Sequence, residues 1–386
     1  MRKILALAMG LVVLASMRAA EPLPPPPRPG PAPALSPGEY RGSIERGVAF
    51  LLKSQNADGS WGTPEKTKAL NIMASPPGSH NAFRTATTSL ALSGMIEVGG
   101  DSEEAKKSIE RGEAWLMENL PKLRRATPEE IYNVWGHGYG IEALVRMYHR
   151  LPNDAERRAK IKAAIEEQYE LLNRYASVDG GWGYYDFEIG AKQPAASSTS
   201  FVNAAILVAL AKAKPITVPP EKFTKRALDA TNRQRLPDGS FLYGEYLKWV
   251  PQHGINQPGG SLGRTQACNL ALRMWGDEKI TDQVVIDWLD RLITRNGWLD
   301  MGRKRPVPHE SHFAVAGYFY YFGHYYAAGC IELLPPEKRG FYKDHLAKII
   351  ISKQEEDGCW WDYPLYNYHQ PYGTGFALLT LAGCKK

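Results

Sequence analysis

One ten-residue stretch, Lys53–Gly62 (KSQNADGSWG), returns in altered form along the chain. Its core is restated as Asp179-Gly180-Gly181-Trp182, Asp238-Gly239-Ser240-Phe241, the weaker Asn296-Gly297-Trp298 and Asp357-Gly358-Cys359-Trp360. The leading Asp or Asn stands at 58, 179, 238, 296 and 357, so the gaps are 121, 59, 58 and 61. The first gap is two repeats with one signature missing near Asn119, which makes a period of about sixty residues and six units. Asp-Gly and Asn-Gly form tight turns because Gly accepts positive φ. An aromatic residue two positions on is placed to pack across two elements. Gln55, Gln234 and Gln354 precede three of these turns.

Each unit reads as outer helix, turn, loop, inner helix. The expected pairs are 37–54 with 81–98, 102–119 with 133–148, 153–176 with 198–212, 220–232 with 264–275, 282–295 with 310–334, and 337–353 with 373–382. The first member of a pair carries the charge, as in DAERRAKIKAAIEEQYELL, whereas the second is small and apolar on most sides, as in FRTATTSLALSGMIEV. A helix without a broad polar face is buried all round, so the second members form an inner layer. The Tyr/Phe run 318–322, with Tyr325 and Tyr326, covers every face of its helix. It reads mostly as core between two layers, with some members able to line an apolar cavity.

The repeat resembles the QW-type repeat of the squalene cyclase and protein prenyltransferase β-subunit superfamily, and it covers nearly all of the chain after residue 40. The resemblance implies an all-α, single six-unit α/α toroid: two concentric rings of six helices with a pocket at one end of the inner ring. The expected domains are a signal peptide at 1–20, a Pro-rich linker at 21–37 and the toroid at 38–386. Arg2 and Lys3, the apolar run 4–15 and small residues after it make up the signal, which is too short to span a bilayer comfortably. A secreted or periplasmic protein follows, with membrane association only if that segment is retained. The linker, PLPPPPRPGPAPALSP, is an extended spacer. Formal charge is +6, and losing Arg2, Lys3 and Arg18 leaves 6 − 3 = +3, too little to argue for nucleic acid. Cys268, Cys330, Cys359 and Cys384 show no C-x-x-C spacing, and Cys359 and Cys384 are either bridged or free buried thiols.

Inner-helix N-termini would converge on the pocket. Long loops at 62–81, 183–197, 243–263 and 299–309 leave the same end. Candidate catalytic residues there are Arg264, His309, His137 and Tyr372; candidate substrate-binding residues are Arg84, Asn133, Trp135, Gln266 and Tyr368. The cyclase acid motif D-x-D-D is absent from the sequence, so standard polyprene cyclisation is disfavoured. Where the prenyltransferase β subunit holds zinc with an Asp-x-Cys pair and a His, this chain has Glu310-x-His312 and His369. The thiolate is lost, which disfavours protein prenylation. Two imidazoles and a carboxylate with an open position remain a donor set for catalytic zinc, the one cofactor expected. Three readings stand together: an enzyme acting on a small or chain-like substrate, a non-catalytic module for a lipid, glycan or peptide, and a polysaccharide lyase-like toroid using Asn133, His137, Tyr372, Arg264 and Arg84. A bound metal favours the enzyme; a dry, apolar pocket with its histidines turned away favours lipid binding.

Overall fold

The computed structural model describes residues 24–32, 35–67, 78–100, 102–124, 132–183, 198–310 and 312–385. The expected signal segment lies outside them, as do most of the loops at 62–81 and 183–197. Among the described residues there are thirteen α-helices. The outer helices are α1 (Pro37–Ser54), α3 (Glu103–Asn119), α5 (Ala155–Tyr175), α7 (Glu221–Arg233), α9 (Asp282–Thr294) and α12 (Pro336–Ile351). The inner helices are α2 (Gly78–Val98), α4 (Asn133–Arg150), α6 (Ser200–Ala213), α8 (Pro258–Met274), α11 (Phe319–Glu332) and α13 (His369–Cys384). A short α10 (Asn296–Asp300) completes the set. Each inner helix packs on the next, and α13 packs on both α11 and α2, so the inner ring closes. This is the six-unit α/α toroid.

The signature turns show why the repeat has its sequence. In four of them the same five-residue loop forms, with Gly59, Gly180, Gly239 and Gly358 at φ of +94°, +94°, +80° and +89°. The Trp61, Trp182 and Trp360 indoles each donate to a carbonyl ten residues back, Leu51, Leu172 and Ile350, at 2.8 Å. Those carbonyls belong to the last turns of outer helices, where no intrahelical donor remains. The backbone N–H groups of Trp61, Trp182, Phe241 and Trp360 donate to Thr88, Asn203, Ser261 and Thr374 on the inner helices. One aromatic residue thus fastens an outer helix end to the following inner helix.

The glutamines work sideways. Gln55 Nε2 donates to Ser108 O on α3, and Gln354 Nε2 to Ser43 O on α1, both at 2.9 Å. The second bond joins unit six to unit one. The weak copy at Asn296-Gly297-Trp298 makes no such turn; it is the helix α10. Residues 24–32 carry no helix, and they run along the outer face, where Arg291 donates to Pro24 O at 3.3 Å and His345 Nε2 contacts Gly30 O at 2.9 Å. All four cysteines are buried and unbridged. No described helix is long and apolar enough to cross a membrane.

Two inner helices differ from expectation. α8 begins at Pro258, six residues before Arg264, and α11 begins at Phe319, nine residues after Glu310. The Pro258-Gly259-Gly260 start reads as loop by propensity, but the proline is acceptable in a first turn and tight packing suits the glycines. Conversely, the stretch before Phe319 has Pro306, Pro308 and Gly317, and it holds His309 and Ala314 at φ of +65° and +51°.

Candidate active site

A cavity of about 350 Å³ opens at the N-terminal end of the inner ring. Thirteen of its twenty lining residues are Phe, Tyr or Trp, and among the lining residues none is Asp, Glu, Lys or Arg. Phe83 and Leu90 on α2, Trp135 and Tyr139 on α4, Phe201 on α6, Phe322 on α11 and Phe376 on α13 form its inner walls. The rings touch in sequence: Trp135 lies 5.8 Å from Tyr139 and 5.9 Å from Phe201, and Phe201 lies 5.1 Å from Phe319. Tyr243, Tyr246, Ile255, Pro308, His309 and Leu365 close it from the loops.

The far end of the ring is blocked by charge. Glu142 on α4 is buried and meets Lys212 Nζ at 2.5 Å, Arg146 at 3.4 Å and the Tyr325 hydroxyl. Burial raises the Glu142 carboxyl, but Lys212 and Arg146 outweigh it, so the group stays ionised below its ordinary range.

Two wall tyrosines lead to buried titratable groups. Tyr372 donates its hydroxyl to Asp362 Oδ1, and the Tyr321 backbone N–H donates to Oδ2 at 3.1 Å. Asp362 is fully buried and makes no salt bridge within 4 Å among the described residues. Burial pushes its carboxyl up to about 7, against the Tyr372 and Tyr321 hydrogen bonds and the charge of Arg303, which pull it down. On another wall, Tyr318 Oη and His309 Nε2 are 2.9 Å apart, while His309 Nδ1 lies 2.7 Å from the Ala314 carbonyl. A carbonyl only accepts, so Nδ1 carries the proton and Nε2 is the acceptor. Burial lowers the His309 pKa, and the nearby Arg264 and His253 lower it further. His309 and Tyr132, both on the cavity wall, are two of five described non-glycine residues at positive φ, a conformation that costs on the order of 1–3 kcal/mol where it is held.

The structure distributes the sequence-derived candidates unevenly. Tyr372, His309 and Trp135 line the cavity. Arg264 lies behind its wall, fully buried, 5.3 Å from the Tyr243 ring and 5.4 Å from the Phe319 ring. It donates to the carbonyls of Gly260, Phe241 and Ile255, and burial lowers its pKa to about 10. His137 points between the rings to Gln168 Oε1 at 2.7 Å, and burial drives its pKa to about 4. Gln266 donates to Trp288 O on α9. Arg84 pairs with Asp58 at 2.6 Å and braces the first signature turn. Asn133 donates to Arg124 O, and Tyr368 contacts His80 Nδ1 at 3.2 Å. These six lie off the cavity wall. Inner helices are apolar on every side, so periodicity does not tell their cavity face from their ring-to-ring face.

The zinc set is not assembled. Glu310 and His312 are exposed on the loop before α11, whereas His369 is buried with Nδ1 2.5 Å from the Tyr366 carbonyl. Among the described residues no three His, Cys, Asp or Glu side chains come together in a way that would hold a metal. The reason is the late start of α11, which leaves Glu310 and His312 on an outlying loop. Asp362, by contrast, was not singled out from sequence, and Tyr318 was marked only as a member of the aromatic run able to line a cavity. The only signal for Asp362 was its position two residues after the last signature, in a stretch of aromatics.

No protein-family model matches the sequence, and no curated protein matches it. Solved structures do match in fold. The unsaturated glucuronyl hydrolase of Streptococcus agalactiae superposes with a TM-score of 0.57 at 14% identity, over 95% of this chain and 98% of that one. A possible family 105 glycoside hydrolase of Klebsiella pneumoniae gives 0.54 at 13%, over 92% and 95%. A type II terpene cyclase of Scytonema, in complex with geranylgeranyl dihydroxybenzoate, gives 0.50 at 13%, over 90% and 96%. The chain thus shares the α/α toroid of the squalene cyclase-like proteins and of several glycosidases.

Proposed function

We propose that the chain is an enzyme that binds an apolar, unsaturated chain- or ring-like molecule in the central cavity and acts on it by protonation. The observation that carries this is the wall itself: thirteen aromatic residues with no charged side chain among them, and Asp362 hydrogen-bonded directly behind the wall residue Tyr372. Aromatic faces attract developing positive charge. A carboxyl held protonated near neutral pH is a general acid of suitable strength. Asp362 belongs to no D-x-D-D motif. Glycoside hydrolysis needs a pair of carboxylates at the substrate, and among the described residues none lines this cavity. His137 is turned away, as a lipid-binding module would have it, but His309 and the Tyr372–Asp362 pair remain at the wall.

Farnesol and geranylgeraniol, incubated with purified protein and followed by gas chromatography–mass spectrometry, test the reading. We expect conversion by the native protein and a loss of about 100-fold or more in Asp362→Asn, with intrinsic tryptophan fluorescence still changed by ligand as in the native protein. Binding without conversion would make the protein a carrier. Absence of binding sinks the apolar-cavity reading altogether.

A further inference from the structure

Tyr318 and His309 are the second titratable pair on the cavity wall, and the protonation step does not use them. We infer that Tyr318, backed by His309, is the proton acceptor that ends the reaction, so that the product is an alkene isomeric with the substrate and not a water-quenched alcohol. This rests on the protonation reading above.

The hydrogen bonds favour that direction. His309 Nδ1–H is committed to the Ala314 carbonyl, which leaves Nε2 to take the Tyr318 hydroxyl proton at 2.9 Å. Burial and the nearby Arg264 keep the imidazole neutral before the reaction, so Nε2 has a free lone pair to accept with, and the Ala314 hydrogen bond supports the protonated ring that results. Arg264 adds a second effect. Its guanidinium sits 5.3 Å behind the Tyr243 ring, forms no ion pair among the described residues, and makes this end of the cavity hostile to positive charge. The Tyr243 hydroxyl lies 3.3 Å from Tyr318 Oη and extends the chain of hydroxyls along the wall. A carbocation reaching this wall lowers its energy by losing a proton. A shared cation would remain charged beside Arg264, whereas a proton passed to His309 can leave through a half-buried imidazole.

The step balances. The substrate π electrons take the Tyr372 hydroxyl proton, which Asp362 replaces, and a carbocation results. A neighbouring C–H bond then gives its proton to Tyr318 Oη as the Tyr318 hydroxyl proton moves to His309 Nε2. The electrons of that C–H bond become the new C=C bond. Asp362 is left as carboxylate and His309 as imidazolium, and one proton exchanged with solvent at each resets both. No oxidant, reductant or water enters the product.

The test is product analysis with farnesol and geranylgeraniol in H₂¹⁸O and, separately, in D₂O. Native protein should release isomeric alkenes carrying one deuterium and no ¹⁸O. In the product that Tyr318→Phe and His309→Gln still form, the alkene-to-alcohol ratio should shift at least about tenfold toward ¹⁸O-labelled alcohol. An unchanged ratio in both variants overturns the inference and leaves the protonation reading standing. Failure of the native protein to convert either alcohol removes the protonation reading, and this inference with it. Thermal melts of both variants separate a folding defect from a change in product.

Discussion

Asp362 should leave a mark on stability whether or not a substrate is present. Its ordinary pKa is 3.8 and its folded value about 7. Between those values the folded protein holds a proton that the unfolded chain has lost, so the unfolded state binds fewer protons and stability falls as pH rises. The contribution is full below 3.8, declines through 7 and is flat above it. A difference of about 3 in pKa, at 1.36 kcal/mol each, amounts to about 4 kcal/mol. Unfolding entropy of about 2.1 cal/mol/K per residue over a chain of this length turns that into about 5 °C. Asp362→Asn cannot titrate but keeps an acceptor for Tyr372. Differential scanning fluorimetry of native and variant protein from pH 4.5 to 8, which spans about three quarters of that change, should therefore show the native melting temperature dropping by about 4 °C relative to the variant. Taking the difference cancels every other titrating group. In Tyr372→Phe, loss of the hydrogen bond that pulls the carboxyl down should carry the decline to higher pH. A native-minus-variant difference that stays level across the range would refute the reasoning, because it would mean that Asp362 ionises as readily folded as unfolded.

Lys212→Met should cost about 3–5 kcal/mol in a thermal or urea melt, since it strips a partner from the buried Glu142, and Glu142→Gln in the same chain should recover much of that loss. Trp360→Phe should cost about 2–4 kcal/mol, since it leaves the Ile350 carbonyl without its indole donor and opens space in a fully buried position; a cost near zero would show that the signature Trp is packing alone.

The architecture was legible because the parts that repeat are the parts that hold the rings together. Gln55, Gly59 and Trp61 serve the same three contacts that Gln354, Gly358 and Trp360 serve, so their spacing carries the period. Gly358 shows how narrow the requirement is: φ is +89°, and a Cβ there would meet the Arg46 carbonyl at 2.5 Å. Charge asymmetry likewise separated outer from inner helices. Where the rule lapses, the reading lapsed. Asn296-Gly297-Trp298 has turn-forming residues but lies in a helix, because tertiary context overrides a local dipeptide preference.

The site was legible only in part, and for a connected reason. The cavity belongs to the faces of inner helices that the signature does not touch, and to loops whose lengths differ from unit to unit. Trp135 was found because α4 starts at the expected residue, Asn133, and Tyr372 lies in the first turn of α13, which starts four residues before the expected 373. Arg264, Glu310 and His312 were misplaced because α8 starts six residues before Arg264 and α11 starts nine residues after Glu310. A shift of a few residues in such a start turns a side chain by 100° per residue and sends it from the cavity to the opposite ring. Asp362 was missed on chemical grounds. Burial converts an ordinary carboxylate into a proton store, and burial is a property of the closed ring. The aromatic run 318–322 makes the same point: Tyr318, Phe319 and Phe322 face the cavity while Tyr320 and Tyr321 do not, and only the register of α11 decides which. In a toroid of this kind the repeat therefore fixes where a pocket forms, whereas the phase of each inner helix fixes what the pocket can do.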